Sequence, residues 1–150
     1  MPWTPVHFRK HEGKTLPQIL WNDPDWFYWA IENHVFEDKP NLQQEAKILY
    51  AKSRSIKVPQ TGPTTRGVQY NYHQGKMAGF RVIPEDCAVE KLPTHIDLYL
   101  VRESHEYDKR GYKMFLKNLK YVCLGDADMK MTKERCEDFY DDASRFLVNS

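Results

Sequence analysis

The chain has 150 residues, of which 41% are hydrophobic and 13% aromatic, so it can bury the core of one ordinary folded domain. That composition excludes an intrinsically disordered chain. No stretch approaches the roughly 18 uncharged apolar residues of a spanning helix, and residues 1–10 do not resemble a signal peptide. We therefore expect a soluble, cytoplasmic protein without a membrane partner. Three widely spaced cysteines predict buried free thiols rather than a disulfide framework.

Charge is distributed unevenly along the chain, although the net charge is only +1. Residues 40–81 carry seven basic side chains and one acidic one, whereas residues 1–39 and 82–150 are each net acidic. A strongly basic stretch inside a nearly neutral chain indicates a polyanionic partner for that stretch.

The N-terminal segment predicts a turn followed by a capped helix. Residues 7–16 indicate a short extended or hairpin element that turns at Gly13. Asp23 is a good N-cap and Pro24 suits the first helical position, so a helix should run from there to about His34. We expect its large aromatic residues to pack in the core, namely Trp26, Phe27 and Trp29.

The middle of the chain predicts a second helix and a hairpin. Asn41 is placed to cap this helix and to form a capping box with Gln44. The Pro-, Gly- and Thr-rich stretch Val58–Gly67 indicates a loop. Val68–His73 and Met77–Ile83 flank a short turn that contains glycine, which predicts two antiparallel strands.

The C-terminal half predicts one strand and two helices. Apolar residues alternate along His95–Val101, which favours a strand. Helical spacing over 112–122 and an N-cap at Thr132 predict two helices. The fold class is therefore α+β, with helices packed on a small antiparallel sheet. We divide the chain into residues 1–58 and 59–150, packed together as one globular unit.

Residues 6–36 carry a motif that occurs in a known family. The motif reads Phe8-x-Lys10-x-x-Gly13-Lys14-x-Leu16 and then Asp23-Pro24-x-Trp26-Phe27-x-Trp29. It resembles the small C-terminal module of exodeoxyribonuclease X-like proteins, which is also found alone in small bacterial and phage proteins. Arg9 stands where the family usually has glycine, so we expect the local backbone to differ there. The resemblance implies a nucleic-acid context but does not supply a reaction.

Catalytic and cofactor motifs are missing from the sequence. It has no Walker A, GxGxxG, CxxC, HExxH or GxSxG pattern. His95, Asp97 and His105 are the residues most like those of a hydrolase, and the pairs His95–Asp97 and His105–Glu106 are the candidates for holding a metal. We expect neither a cofactor nor a metal site. Whether the chain is an enzyme stays open, with a non-enzyme favoured.

The candidate binding surface combines cations with aromatic rings. Phosphate binding needs several cations on one surface, and single-strand binders add rings that stack on bases. Tyr70 and Tyr72 should point to the same face of a strand and offer two neighbouring rings, unless they face the core. The predicted nucleic-acid-binding residues are Lys10, Lys14, Lys52, Arg54, Arg66, Tyr70, Tyr72, Lys76 and Arg81.

These features favour a non-catalytic accessory protein that binds nucleic acid, with DNA favoured over RNA, through a basic, tyrosine-bearing surface. The alternative is a protein-interaction module of phage or bacterial origin that binds and inhibits another macromolecule. Its interface would be the acidic last helix or the exposed part of the aromatic set. A phosphoesterase or nuclease is the weaker third interpretation.

Overall fold

A computed structural model describes residues 2–102, 105 and 109–148. They form an α+β fold, as the sequence predicts, but with two separate two-stranded antiparallel sheets instead of one. The helices are α1 (Leu16–Asn22), α2 (Pro24–Glu32), α3 (Pro40–Ser53), α4 (Lys109–Leu124) and α5 (Lys133–Asp141). The strands are β1 (Ile56–Lys57), β2 (Arg66–His73), β3 (Lys76–Pro84) and β4 (His95–Ile96), with β1 paired to β4 and β2 to β3.

The predicted start and end of α2 are confirmed. Asp23 is its N-cap and Pro24 its first residue. The helix ends in a Schellman motif, in which the Val35 N–H donates to the Ala30 carbonyl at 2.9 Å. His34 occupies the left-handed position of that motif, with φ at 56°.

Two helix starts differ from the sequence predictions. α1 was not predicted, and it begins after Thr15, whose N–H donates to the Gln18 side chain at 3.0 Å. α3 begins at Pro40, with Lys39 as N-cap, so the predicted cap at Asn41 is wrong. A proline fits the first helical position because its missing N–H would have no partner within the helix there.

The β2–β3 hairpin is confirmed, whereas the strand predicted over His95–Val101 is wrong. Only His95–Ile96 pairs as a strand, and a 3₁₀ turn follows over Leu98–Leu100. The Asp97 carboxylate accepts the Tyr99 N–H at 3.0 Å and caps this turn. A local side-chain bond of this kind competes with strand pairing, and apolar alternation does not reveal it.

One hydrophobic core draws on both predicted halves of the chain. Trp21 of α1 meets Phe139 of α5 edge to face, with ring centroids 4.9 Å apart. Ile56 of β1 forms an isolated bridge with Phe146, and the Leu147 N–H donates to the Ser55 carbonyl at 3.0 Å. Residues after α5 therefore close the core that the first 58 residues begin.

The aromatic residues of α2 are mostly structural. Phe27 and Tyr28 are fully buried, and the Tyr28 hydroxyl donates to Ser53 Oγ at 2.6 Å. Trp26 is half-buried against Phe8, so its predicted packing is confirmed. Trp29 is 44% exposed, so the expectation that it packs in the core is wrong.

Two further expectations concern the cysteines and the membrane. Cys136 is buried and Cys123 half-buried, as predicted, and burial raises the pKa of each thiol to about 12. Cys87 is exposed, which corrects the prediction for that residue. None of the described helices is long and apolar enough to cross a membrane.

Candidate nucleic-acid interface

Lys52 is buried, so the prediction that it contacts nucleic acid is wrong. This lysine is only 5% exposed, and its Nζ donates to the Tyr140 carbonyl at 2.8 Å. That carbonyl lies in the last turn of α5, where backbone oxygens lack partners within the helix. The ammonium also lies 5.4 Å from the centre of the Phe146 ring, and burial lowers its pKa. Lys52 therefore caps a distant helix instead of meeting solvent.

Arg54 is also engaged within the protein. Its guanidinium pairs with the Asp97 carboxylate at 3.2 Å and lies over the rings of Tyr50 and Tyr99, 5.4 and 4.8 Å from their centres. Hydrogen bonding to Asp97 raises its pKa. Because its charge is already matched by a carboxylate, the prediction that Arg54 binds phosphate is not supported by its geometry.

The predicted two-tyrosine platform is wrong, because the two rings have different surroundings. Tyr70 stacks on Phe115 with ring centroids 6.4 Å apart, and its hydroxyl accepts the Asp97 N–H at 3.1 Å. Burial raises the pKa of Tyr70 to about 12. Tyr72 is 53% exposed, since residues 71–76 form a hairpin tip that extends past the core. Lys76 is exposed at the same tip.

Lys10 and Lys14 lie on a separate N-terminal loop. The loop is closed by the Val6 N–H, which donates to the Lys14 carbonyl at 2.9 Å, so the predicted turn at Gly13 is present without strands. Lys14 is exposed, whereas Lys10 pairs with the Asp23 carboxylate at 3.1 Å.

Arg66 and Arg81 are brought together at one groove between the hairpin and α4. The groove has a volume of about 480 Å³, and within the described part of the chain its only charged lining residues are these two arginines. Its other lining residues come from the loop before β2, from β3, from α4 and from the turn after it: Pro59, Phe80, Val82, Asn118, Tyr121, Val122 and Gly125.

The groove exists because α4 lies along the outer edge of β3. Asn118 Oδ1 accepts the Phe80 N–H at 3.0 Å, so a helix side chain replaces a missing strand partner. Gly79 allows this close approach. A Cβ there would lie 2.5 Å from Asn118 Oδ1 and 3.0 Å from Met114 Cγ, and its φ of +123° strains any other residue.

The two arginines are oriented by neutral partners. Arg81 Nε donates to Gln69 Oε1 at 2.7 Å across the hairpin, where the two residues are register partners. Arg66 Nη1 donates to Thr61 Oγ1 at 3.0 Å. Among the described residues, neither guanidinium forms an ion pair with a carboxylate. Each keeps further N–H donors and an uncompensated positive charge for an anionic ligand.

Tyr121 was missed at the sequence level. This residue is 66% exposed on α4 and lines the same groove as the two arginines. A signal was present, because this tyrosine lies off the apolar stripe that Phe115 and Leu119 mark. Lys117 stands one helical turn before Tyr121 on the same face and pairs with Asp128 at 3.5 Å.

A second groove lies between α2 and α3 and has a different character. Its volume is about 300 Å³, and it is lined mainly by apolar atoms. One acid, Glu37, and one base, Lys47, both line it. The lining residues are Ala30, Ile31, His34, Phe36, Glu37, Gln43, Ala46, Lys47 and Tyr50.

The residues of the hydrolase interpretation have separate partners. Asp97 binds Arg54, whereas His105 Nδ1 lies 3.2 Å from the Asp25 carboxylate. Arg102 bridges Asp25 and Glu32 at 2.8 and 2.7 Å, so this charged cluster ties α2 to the segment before α4. In the described ranges, no three His, Cys, Asp or Glu side chains gather where they could hold a metal ion, and Glu106 lies outside those ranges.

Comparisons with family models, curated proteins and solved structures find no match for this chain. The resemblance of residues 6–36 to the exodeoxyribonuclease X C-terminal module stays a prediction.

Proposed function

We propose that this chain binds nucleic acid without catalysing a reaction, through the groove between β3 and α4. Arg66 and Arg81 are its phosphate ligands. The observation that carries this proposal is that both arginines line one groove and are its only charged lining residues among those described.

Phosphate recognition accounts for this arrangement of charge. A guanidinium fork matches a phosphate oxygen pair, and each neutralised phosphate releases condensed counterions. Both arginines donate to neutral side-chain oxygens, from Thr61 and Gln69, so these partners leave the positive charges uncompensated. The resemblance of residues 6–36 to a module of exonuclease-like proteins supports the same context.

The proposed interface differs from the one that the sequence indicates. Lys52, Arg54 and Tyr70 are left out, because each is engaged inside the protein. Tyr72 and Lys76 at the hairpin tip, and Lys10 and Lys14 on the N-terminal loop, are secondary candidate contacts.

The test is fluorescence anisotropy with a labelled DNA oligonucleotide at two salt concentrations, using the double variant Arg66→Gln/Arg81→Gln. We expect affinity at low salt to fall roughly 10- to 100-fold, as for the loss of two net hydrogen bonds worth about 0.7 to 1.4 kcal/mol each. Each phosphate contact contributes about 0.7 to 0.9 to the slope of log K against log salt, so the loss of two contacts should decrease the magnitude of that slope by about 1.4 to 1.8.

The matched control is Lys47→Gln/Lys57→Gln, which removes the same number of charges from exposed positions in the same basic stretch. This control variant should bind DNA within about twofold of the wild-type affinity if the position of the arginines determines binding and the total charge does not. An equal loss in both double variants, or no binding by the wild-type protein at low salt, contradicts the proposal.

A protein-interaction module is the second candidate function. The α2–α3 groove is lined mainly by apolar atoms, and Trp29 on α2 is 44% exposed, a combination that suits a protein partner. Co-purification of a protein that survives nuclease treatment and is lost in Trp29→Ala favours this alternative.

A further inference from the structure

We propose that the groove between β3 and α4 takes a single nucleic-acid strand and not a duplex, with one base stacked on the ring of Tyr121. This inference rests on the proposed function and adds the class of nucleic acid that the groove selects. Three features carry it, namely the exposed ring, the size of the groove and the division of chemistry between its walls.

The exposed ring of Tyr121 is the first feature. It is 66% exposed at the groove, because position 121 lies off the face of α4 that packs in the core. A tyrosine face stacks only on a base whose own face is open. In a duplex, neighbouring base pairs cover both faces, whereas in a single strand the bases can splay outward. The groove therefore has a contact that only an unstacked base can use.

The size of the groove is the second feature. Its volume of about 480 Å³ is in the range of small-molecule sites, which corresponds to about one or two nucleotides. The helix forms one wall and the hairpin the other, and a groove of this size matches part of one strand and not the width of a duplex.

The walls divide the chemistry between phosphate and base. Arg66 and Arg81 lie on the hairpin side, and Tyr121 lies on the helix side. Binders of single strands combine these two elements, a positive groove that follows the backbone and a ring that stacks on a base. The Asn118–Phe80 hydrogen bond fixes the two walls relative to each other. A preformed groove of this kind lowers the ordering cost of binding.

The experiment compares three DNA probes of equal phosphate number by fluorescence anisotropy at low salt. They are a single-stranded oligothymidylate, the same strand with abasic sites in place of bases, and a hairpin duplex. The wild-type protein should bind the strand with bases about 5- to 150-fold more tightly than the abasic strand, as expected for one stacked base. It should also prefer the single strand to the duplex.

Tyr121→Leu should remove the preference for the strand that has bases and leave abasic binding unchanged. Tyr121→Phe keeps the ring and should keep the preference. Trp29→Leu, at an exposed aromatic ring outside this groove, is the matched control and should behave like the wild type. Because Tyr121 is largely exposed, thermal unfolding should show that each variant is folded.

The failures are distinguishable. Equal binding to single strand and duplex, or no effect of Tyr121→Leu, overturns this inference and leaves the proposed function standing. A loss of the preference caused by Trp29→Leu instead also overturns it, since the stacking ring is then elsewhere. Absence of binding to all three probes at low salt overturns the proposed function together with the inference.

Discussion

The β3–α4 groove and the α2–α3 groove draw on the same basic stretch of sequence but differ in charge and lining. The β3–α4 groove has two arginines as its only charged lining residues in the described chain. The α2–α3 groove, which is mainly apolar, is lined by Lys47 of that stretch and also by Glu37. Meanwhile, Lys52 is buried and Arg54 is paired with Asp97. The net charge of a segment therefore does not locate a binding surface, because cations that are close in sequence lie in the core, in ion pairs or in different grooves of the folded chain.

The largest expected effect is on stability, and it comes from disturbing the contact between α4 and β3 that forms the first of these grooves. Gly79→Ala adds a Cβ 2.5 Å from Asn118 Oδ1 at a φ of +123°, so it opposes the packing of α4 on β3. We expect the free energy of unfolding to fall by about 2–4 kcal/mol, from backbone strain and overpacking together. Urea denaturation followed by circular dichroism measures this change.

Gly125→Ala is the matched control for that variant. Gly125 also has positive φ, but nothing lies within 4 Å of a Cβ placed there. Its cost should be limited to backbone strain, about 1 kcal/mol. If both variants destabilise equally, the close approach of α4 to β3 does not constrain the fold.

A smaller effect separates a structural cation from the binding cations. Lys52→Ala leaves the Tyr140 carbonyl without its side-chain donor, so the free energy of unfolding should fall by about 1–3 kcal/mol. Affinity for DNA at low salt should not change, in contrast to Arg66→Gln/Arg81→Gln. Denaturation and anisotropy on the same samples give both quantities.

The exposed Lys57 supplies the control for this variant. Lys57→Ala should change the free energy of unfolding by less than about 0.5 kcal/mol. If Lys52→Ala remains folded but binds DNA more weakly, Lys52 contributes to the binding surface and the structural role given to it is wrong.

The smallest effect concerns pH and lies outside both grooves. Burial lowers the pKa of the His11 imidazole, and Asp23, 3.1 Å from Nε2, opposes that change. Below the unfolded-state value of about 6.5 the unfolded chain binds more protons than the folded one. The free energy of unfolding should therefore decrease as pH falls from 7 towards 5.5.

His11→Gln should flatten this dependence, which denaturation at several pH values measures. DNA affinity should stay constant between pH 6 and 8, since arginine does not titrate there. An unchanged pH profile in His11→Gln would assign the dependence to another group.

Local signals in the sequence were sufficient wherever a short segment determines its own structure. Asp23-Pro24 and Thr132 start helices as predicted, and the turn that contains Gly75 joins two predicted strands. The burial of Lys52 was not predictable, because its hydrogen-bond partner Tyr140 lies close to it only after α3 and α5 have packed together. A one-dimensional pattern cannot supply such distant partners.

The sequence predicted some residues of the candidate site but not their arrangement. Arg66 and Arg81 were both proposed, but their placement along one groove depends on the position of α4 beside β3, which the sequence does not give. Tyr121 could have been proposed from its place off the apolar stripe of its helix. Tyr70 was misassigned, because alternation gives the face of a strand but not the point at which the core ends.

The bridge between Ile56 and Phe146 has a consequence for synthesis of the protein. The early helices have no complete core until the segment around Phe146 has left the ribosome. At about 5–20 residues per second, the nascent chain exposes the apolar faces of α1 and α3 for roughly 5 to 20 s. Chaperones that bind nascent chains have that interval in which to act on this protein.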